Sequence, residues 1–366
     1  MLVRRKIRVL IVDDSAIVRK ILSEALSADP DIEVAGTAPD PIIAAEKIRA
    51  LAPDVLTLDI EMPRMDGLTF LKSLMQSHPL PAIVISSLAQ PSCRAAIQAL
   101  EYGAVEVLAK PAGPYSVGEL RSTLAAKVRA AACARIRRTP PPTAGLAAGV
   151  PATRRATVPP LALLRASATM SPDMVLAIGA STGGTEAIAS IVTRLPADSP
   201  GVVVAQHIPP QFSRAFADRL NGLSAVEVKE AEDNDTVRAG RVLVAPGDYH
   251  MVLRKSGGRY YVSVKAGPKV CYQRPSVDVL FCSVAEASGS NAVAALLTGM
   301  GNDGAQGLLR LRQAGAHTIA QDEATCVVFG MPREAIALGA AAQILPLSMI
   351  GQAMLAPHPV VASMAR

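Results

Sequence analysis

The sequence predicts an α/β protein: two doubly wound parallel-sheet domains joined by a Pro/Ala/Arg-rich linker. Three observations carry that prediction. Short apolar runs alternate with segments whose apolar residues recur at spacings of three and four, as strands and helices do when helices cover both faces of a parallel sheet. The alternation stops after about Ala132 and resumes near Met174, and Pro, Ala, Thr, Gly and Arg dominate between. Half of the 366 residues are hydrophobic and 19% are charged. That is enough apolar material for two cores, and it excludes disorder over the whole length.

Taken in order, Arg8–Val12 reads as a strand and Ala16–Leu26 as a helix. Glu33–Thr37 is a strand, with a helix near Ala44–Leu51. Val55–Leu58 is a strand ending in Asp59, followed by a helix over Gly67–Ser77. Ala82–Ile85 is a strand, Arg94–Tyr102 a helix and Glu106–Leu108 a strand. A helix from Val117 to about Ala132 closes five β/α repeats. The second block has strands at Val175–Ile178, Gly201–Ala205, Arg241–Ala245 and Val293–Thr298. Val252–Arg254 and Tyr260–Val264 flank Ser256-Gly257-Gly258, a hairpin signal. The expected boundaries are 6–130, a linker over 131–172, and 173–366.

Charge and composition exclude several functions. No acid stands between Glu119 and Asp173, where nine Lys and Arg fall, and the rest of the chain has 28 basic against 31 acidic residues. The net charge of +6 therefore comes from the linker, and no chain-wide nucleic-acid face is expected. Aromatics are 3% with no Trp, which disfavours base stacking. Five scattered Cys with no C-x-x-C pair point away from disulfides and structural zinc, and toward a reducing, cytoplasmic setting. No membrane span is expected. The run Val9–Val12 is too short for a signal peptide and ends in two Asp. The uncharged stretch from Ala335 to Ala365 is broken by Gln343, Pro346, Ser348, Gln352 and Pro357. It reads as a helix end, a strand near Ala342–Leu347 and an amphipathic helix; a span needs about 20 apolar residues.

Three acids stand at strand ends in the first unit: Asp13 and Asp14 after the first strand, Asp59 after the third. Such groups converge outside the carboxyl edge of a parallel sheet. Three carboxylates repel one another unless a hard divalent cation is bound, and Mg²⁺ uses a few carboxylates plus water and phosphoryl oxygens. Ser86 ends the fourth strand and Lys110, before Pro111, the fifth. Each can contact a phosphoryl group. Residues 6 to 130 resemble the receiver domain of bacterial response regulators, on Val-Asp13-Asp14-Ser15, Asp59-Ile-Glu-Met-Pro63, Gly67, Ser86 and Lys110-Pro111. The resemblance implies phosphorylation at Asp59, Mg²⁺ on Asp13, Asp14 and Asp59, and phosphoryl contacts from Ser86 and Lys110. It departs at Val107, where many receivers carry an aromatic switch residue.

In the second unit, strand Val175–Ile178 enters Gly179-Ala-Ser181-Thr182-Gly183-Gly184, which satisfies G-x-S-x-G. Small residues allow a sharp turn that exposes a nucleophile, but a Gly-rich strand-to-helix turn equally cradles phosphate. Two further strands break the tie. Gly201–Ala205 is followed by Gln206-His207, and Val293–Thr298 by Gly299-Met300-Gly301-Asn302-Asp303. Ser, His and Asp thus each sit just beyond a strand end. Histidine suits removal of a serine proton, and Asp orients and stabilises the imidazole. His250 is a rival base. The chain order Ser, His, Asp differs from the α/β-hydrolase order, so that fold is not implied.

The second unit closely resembles the catalytic domain of chemotaxis protein-glutamate methylesterases, the CheB family, over about residues 172 to 355. The match rests on Gly179–Gly184, Gln206-His207-Ile-Pro-Pro210, Ala245-Pro-Gly-Asp248, Arg274-Pro-Ser-Val-Asp278, Thr298–Gly304 and Phe329-Gly-Met-Pro-Arg-Glu334. It implies a triad of Ser181, His207 and Asp303, with Thr182 and Met300 near the oxyanion site and no cofactor for hydrolysis. It implies γ-glutamyl methyl esters of methyl-accepting chemoreceptors as substrates, deamidation of particular receptor Gln residues, and a chemotaxis histidine kinase as phosphodonor. The unphosphorylated receiver is expected to dock over the opening formed by the Ser181, His207 and Asp303 loops. Two rival readings remain: a response regulator whose second domain only binds a partner, and a nucleotide-binding output using the Gly179–Gly184 loop. Together Ser181, His207 and Asp303 favour the hydrolase.

Overall fold

The computed structural model describes residues 5–110, 116–136, 164 and 173–356. The Thr139–Pro142 run, Pro111 and the end of the uncharged C-terminal stretch lie outside the described residues.

The first unit runs β1 (Ile7–Val12), α1 (Ala16–Ser27), β2 (Ile32–Ala38), α2 (Pro41–Leu51), β3 (Val55–Asp59), α3 (Gly67–Ser77), β4 (Ala82–Ser86), α4 (Gln90–Glu101), β5 (Glu106–Ala109) and α5 (Ser116–Ala132). Its sheet is wholly parallel, in the order β2-β1-β3-β4-β5. Val9–Val12 of the first strand is continuous hydrophobic sequence because helices bury it on both faces. Side-chain caps fix three helix starts: Ser15 accepts from Val18 N, Asp40 from Ile42 N and Ile43 N, and Asp66 from Thr69 N. Helices α2 and α4 begin earlier than the apolar spacing suggests, at Pro41 and Gln90 rather than Ala44 and Arg94. Both carry Pro in the first turn, where the missing N–H costs nothing.

The second unit runs β6 (Val175–Ala180), α6 (Gly184–Val192), β7 (Gly201–Gln206), α7 (Phe212–Leu223), β8 (Glu227–Glu230), β9 (Thr236–Val237), β10 (Arg241–Val244), β11 (His250–Ser256) and β12 (Arg259–Lys265). It continues with α8 (Val277–Ser288), β13 (Ala292–Leu296), α9 (Ala305–Gln313), β14 (His317–Gln321), α10 (Met331–Ala337), β15 (Gln343–Leu345) and α11 (Leu347–Met354). Seven strands form a parallel sheet in the order β15-β14-β13-β6-β7-β10-β8. A small antiparallel sheet, β11-β12-β9, is added to the parallel layers. Its hairpin turns at Gly257 and Gly258, both at positive φ, as a two-residue turn between twisted strands requires. Strand β13 stops at Leu296, short of the expected Thr298, because Thr298 N turns to the side chain of Gln321.

The two units touch. One apolar cluster runs from the first sheet through Ala96, Ile97 and Leu100 of α4 to Phe212 and Phe216 of α7. Glu101, the last residue of α4, pairs with Arg219 of α7 at 2.5 Å. Glu106, the first residue of β5, accepts from Thr182 Oγ1 at 2.8 Å. Beyond α5, Arg135 pairs with Glu323 at 2.8 Å and donates its backbone N–H to Val327 O. These contacts lie at the end of the first sheet opposite Asp59. The expected linker is anchored at both ends. Ala131 and Ala132 still belong to α5, and Leu164 is buried, with its N–H on Arg194 O and its side chain against Gly351.

Candidate active site and phosphoacceptor pocket

In the second sheet β13, β6 and β7 are neighbours, and the chain reverses its direction of travel across the sheet at β6. Ligand-binding crevices form beyond the carboxyl ends of strands at such a point. Ser181 follows β6, His207 follows β7, and Asp303 lies in the loop after β13. All three are buried. His207 Nε2 meets Asp303 Oδ2 at 2.7 Å.

Asp303 is held by the start of α8. Its Oδ1 accepts from Ser276 Oγ at 2.8 Å and Asp278 N at 3.0 Å, and its Oδ2 from Val277 N at 2.8 Å. Burial pushes its pKa up, but the His207 contact and these N–H groups outweigh it and hold the carboxyl below its ordinary value. An anion at a helix N-terminus is also favoured by the helix dipole.

Three features fix the nucleophile turn. Ser181 N donates to Thr298 O at 3.0 Å, and Thr298 Oγ1 donates to Thr182 O at 3.0 Å. Gln206 Nε2 donates to Ser181 O at 2.8 Å and His207 O at 3.1 Å, tying the Ser and His turns together. A Cβ on Gly299 would overlap Ser181 and Met331. Gly179 packs against Val277, and Gly184 against Gln206, each with no room for a Cβ. The glycines of this turn are thus explained by close packing, which removes the reason to read the loop as a phosphate cradle. The N-terminus of α6 opens beside Ser181, a position suited to holding an oxyanion. Met300 is partly exposed at the rim, whereas Thr182 is buried with its hydroxyl on Glu106.

The structure brings His207 and Asp303 together but leaves the third link open. Ser181 Oγ makes no hydrogen bond to His207 among the described residues, and His207 Nδ1 is buried without a partner. The ring meets Asp303 through Nε2, so Nδ1 is the nitrogen left to act as base. His250 is placed differently. Its Nδ1 accepts from Ser276 N at 3.2 Å and its Nε2 meets Pro268 O at 2.9 Å. Both ring nitrogens brace the loop that presents Ser276. Gln206 and Ser276 are the residues that motif reading missed as site residues. The first stood in the Gln206-His207 pair, and the second carried the helix-cap signal of a Ser ahead of an apolar run.

In the first unit, oxygens of Asp13, Asp14 and Asp59 lie within 4.8 Å of one another. Lys110 Nζ lies 2.7 Å from Asp59 Oδ2 and 3.1 Å from Asp13 Oδ2. Burial raises the pKa of Asp59 to about 6 against the pull of Lys110. Lys110 is the partner of both of these buried carboxylate oxygens. One cation facing three clustered carboxylates leaves negative charge in excess, which fits a divalent metal site. Ser86 Oγ points to Ser92 O at 3.4 Å rather than to the acids, and Val107 is buried.

Comparisons with known proteins address the family of each unit. Residues 176–354 match the family described as CheB methylesterase, and residues 9–121 match the response regulator receiver domain. A protein of Syntrophus aciditrophicus named protein-glutamate methylesterase/protein-glutamine glutaminase 2 is 54% identical over 94% of this chain and 97% of its own. A protein of the same name from Rhodospirillum rubrum is 54% identical over 96% of this chain and 98% of its own. A crystal structure of the Thermotoga maritima CheB methylesterase catalytic domain is 39% identical, with a TM-score of 0.49, covering 50% of this chain and 97% of that one. The chain belongs to the CheB methylesterase family, in the form that carries a response regulator receiver domain ahead of the hydrolase.

Proposed function

We propose that Ser181, His207 and Asp303 hydrolyse γ-glutamyl methyl esters on chemoreceptors, under control of the receiver. The observation that carries the reading is the buried His207–Asp303 pair, clamped by the start of α8, on the strands flanking Ser181. A binding domain has no use for such a pair. His207 Nδ1 takes the Ser181 proton as Oγ attacks the ester carbonyl. The oxyanion forms beside the α6 N-terminus and the Met300 rim. His207 then gives its proton to the departing methoxide, and methanol leaves. Water repeats the sequence on the acyl-enzyme and leaves Glu. With a Gln side chain the same steps release ammonia, which covers the glutaminase half of the relatives' names.

The receiver residues take their roles by the same reasoning. Asp59 accepts the phosphoryl group from a chemotaxis histidine kinase. Asp13, Asp14 and Asp59 would hold Mg²⁺, which would supply positive charge against a phosphoryl group, and Ser86 and Lys110 are the residues placed to contact that group. Among the described residues no helix is long and apolar enough to cross a membrane. A cytoplasmic site of action follows from these partners. The test is methanol release from methylated receptor membranes. Wild type is expected to release it and Ser181→Ala not to; equal release by both would discard the reading.

A further inference from the structure

We propose that Glu106 is the receiver's latch on the nucleophile turn: its carboxylate restrains Thr182, and through it Ser181, and phosphorylation at Asp59 frees the hydrolase by loosening that contact. The inference deepens the proposed control of the hydrolase by the receiver and rests on it. It differs from simple covering of the cleft, because it acts on the nucleophile itself.

Glu106 is a buried carboxylate at the start of β5. Its Oε2 accepts from Lys127 Nζ at 2.5 Å and from Thr182 Oγ1 at 2.8 Å, and its Oε1 from Val107 N at 3.3 Å. A buried charge is tolerated only when paired. The pairing partner, Lys127, belongs to the receiver's own α5. The ion pair therefore survives separation of the domains, and only the bond to Thr182 crosses between them. The receiver holds the carboxylate ready, and the catalytic domain meets it with the residue next to the nucleophile.

Thr182 is a stiff handle. Its carbonyl is fixed by Thr298 Oγ1, and Thr298 O accepts from Ser181 N. A pull on its hydroxyl is borne by the turn that aims Ser181. In this docked arrangement Ser181 Oγ makes no bond to His207, whose Nδ1 is an orphan buried atom. The hydrogen bond the chemistry needs is thus missing where the latch is closed.

The strand that begins at Glu106 leads into Lys110, which holds Asp59. Its neighbour β4 ends at Ser86, whose carbonyl accepts from Lys110 N. At about 3.3 Å per residue, Glu106 lies about 13 Å along the chain from Lys110. A phosphoryl group that draws in Ser86 and Lys110 pulls on this strand directly. Val107 offers no ring to swing, so the displacement reaches the interface through the strand and its first side chain. A shift of about 1 Å takes a 2.8 Å bond beyond hydrogen-bonding distance.

The test uses the full chain and phenylmethylsulfonyl fluoride, a small probe that reacts with activated serine hydroxyls. It bonds its sulfur to Ser181 Oγ and releases fluoride, and intact mass reads the rate. Wild type, Glu106→Ala, Glu106→Gln and Glu101→Ala are compared with and without a small phosphodonor and Mg²⁺. Glu106→Ala is expected to raise the basal rate about tenfold and to gain little more from the phosphodonor. Glu101→Ala, which breaks only the α4–α7 ion pair, is expected to change the rate less than threefold. If Glu106→Ala stays at the wild-type basal rate while the phosphodonor still accelerates wild type, the latch is overturned and covering alone remains. No acceleration of wild type by the phosphodonor would instead overturn the control reading beneath it. Should Glu106→Ala fail to melt cooperatively, the same-sized Glu106→Gln decides, by an increase or its absence.

Discussion

At the scale of single residues, the sharpest question is which imidazole works. His207 keeps one ring nitrogen free beside the nucleophile turn, whereas His250 spends both on backbone groups. Ser181→Ala is expected to abolish methanol release with the fold intact. Loss of the nucleophile in a serine protease cost about 10⁶ in turnover. His207→Ala is expected to be nearly as damaging, and the double variant no worse than either single one. His250→Ala is expected to lower stability more than chemistry; fatal loss of turnover there with a mild His207→Ala would exchange their roles. Asp59 gives a second residue-scale test. Its pKa is raised from 3.8 to about 6, so between those values the folded receiver holds a proton that the unfolded chain has released. Through this group stability falls as pH rises from about 4 to about 6, and acidification restores it. Mg²⁺ must displace the same proton. The rise in Tm on adding Mg²⁺ is therefore expected to be larger at pH 7.5 than at pH 5.5; equal rises would remove Asp59 from the metal site.

Among the elements, the start of α8 does most to shape the site. Ser276 caps the helix through Val279 N and donates to Asp303. Ser276→Ala is expected to cost about 1–2 kcal/mol as a lost cap. It should also lower turnover about tenfold by loosening Asp303, because a hydrogen bond to a charged group is worth about 1.5–3 kcal/mol. Unchanged turnover in a destabilised Ser276→Ala would confine Ser276 to capping. This element also shows how much the sequence made legible. The strand ends that carry Ser181, His207, Asp303 and Asp59 were readable, because apolar runs closing on Gly or a polar residue mark them. The clamp on Asp303 was not, since helix α8 and the loop after β13 are far apart in sequence and meet only through packing. Helices α2 and α4 begin earlier than the apolar spacing suggests, because each opens on a proline-bearing first turn that lies ahead of its apolar face. The pairing of Glu106 with Thr182 was invisible for the same reason as the clamp: local pattern says nothing of which faces of two domains meet.

Over the whole molecule, the proposed control is an equilibrium between docked and separated domains. The docked form is held by the α4–α7 apolar contact, the Glu101–Arg219 and Arg135–Glu323 pairs, and the Glu106–Thr182 bond. Arg135 and Glu323 are both more than half exposed, so solvent screens that pair and it contributes little. The apolar contact therefore dominates, with Glu106–Thr182 as its most buried polar link. Phosphorylation adds about −1.5 to −2 charge at the far end of the receiver. On the proposed reading it acts through β5, which leads into the Lys110 that pairs with Asp59. Moving the balance from 1:99 to 99:1 would take about 5.5 kcal/mol of difference between the two forms. Smaller shifts still give large activation when the separated form is rare. Removing residues 1 to about 170 takes away every docking contact at once. The truncated hydrolase is expected to release methanol faster than the unphosphorylated full chain and to ignore a phosphodonor. The full chain with Mg²⁺ and a phosphodonor should approach the truncated rate, and Asp59→Ala should stay at the basal rate. The removed segment includes Leu164, which packs against α11, so the truncation is best begun just before that residue as a second version. If both versions are slower than the unphosphorylated full chain, the receiver assists the hydrolase, and restraint by docking has to be given up.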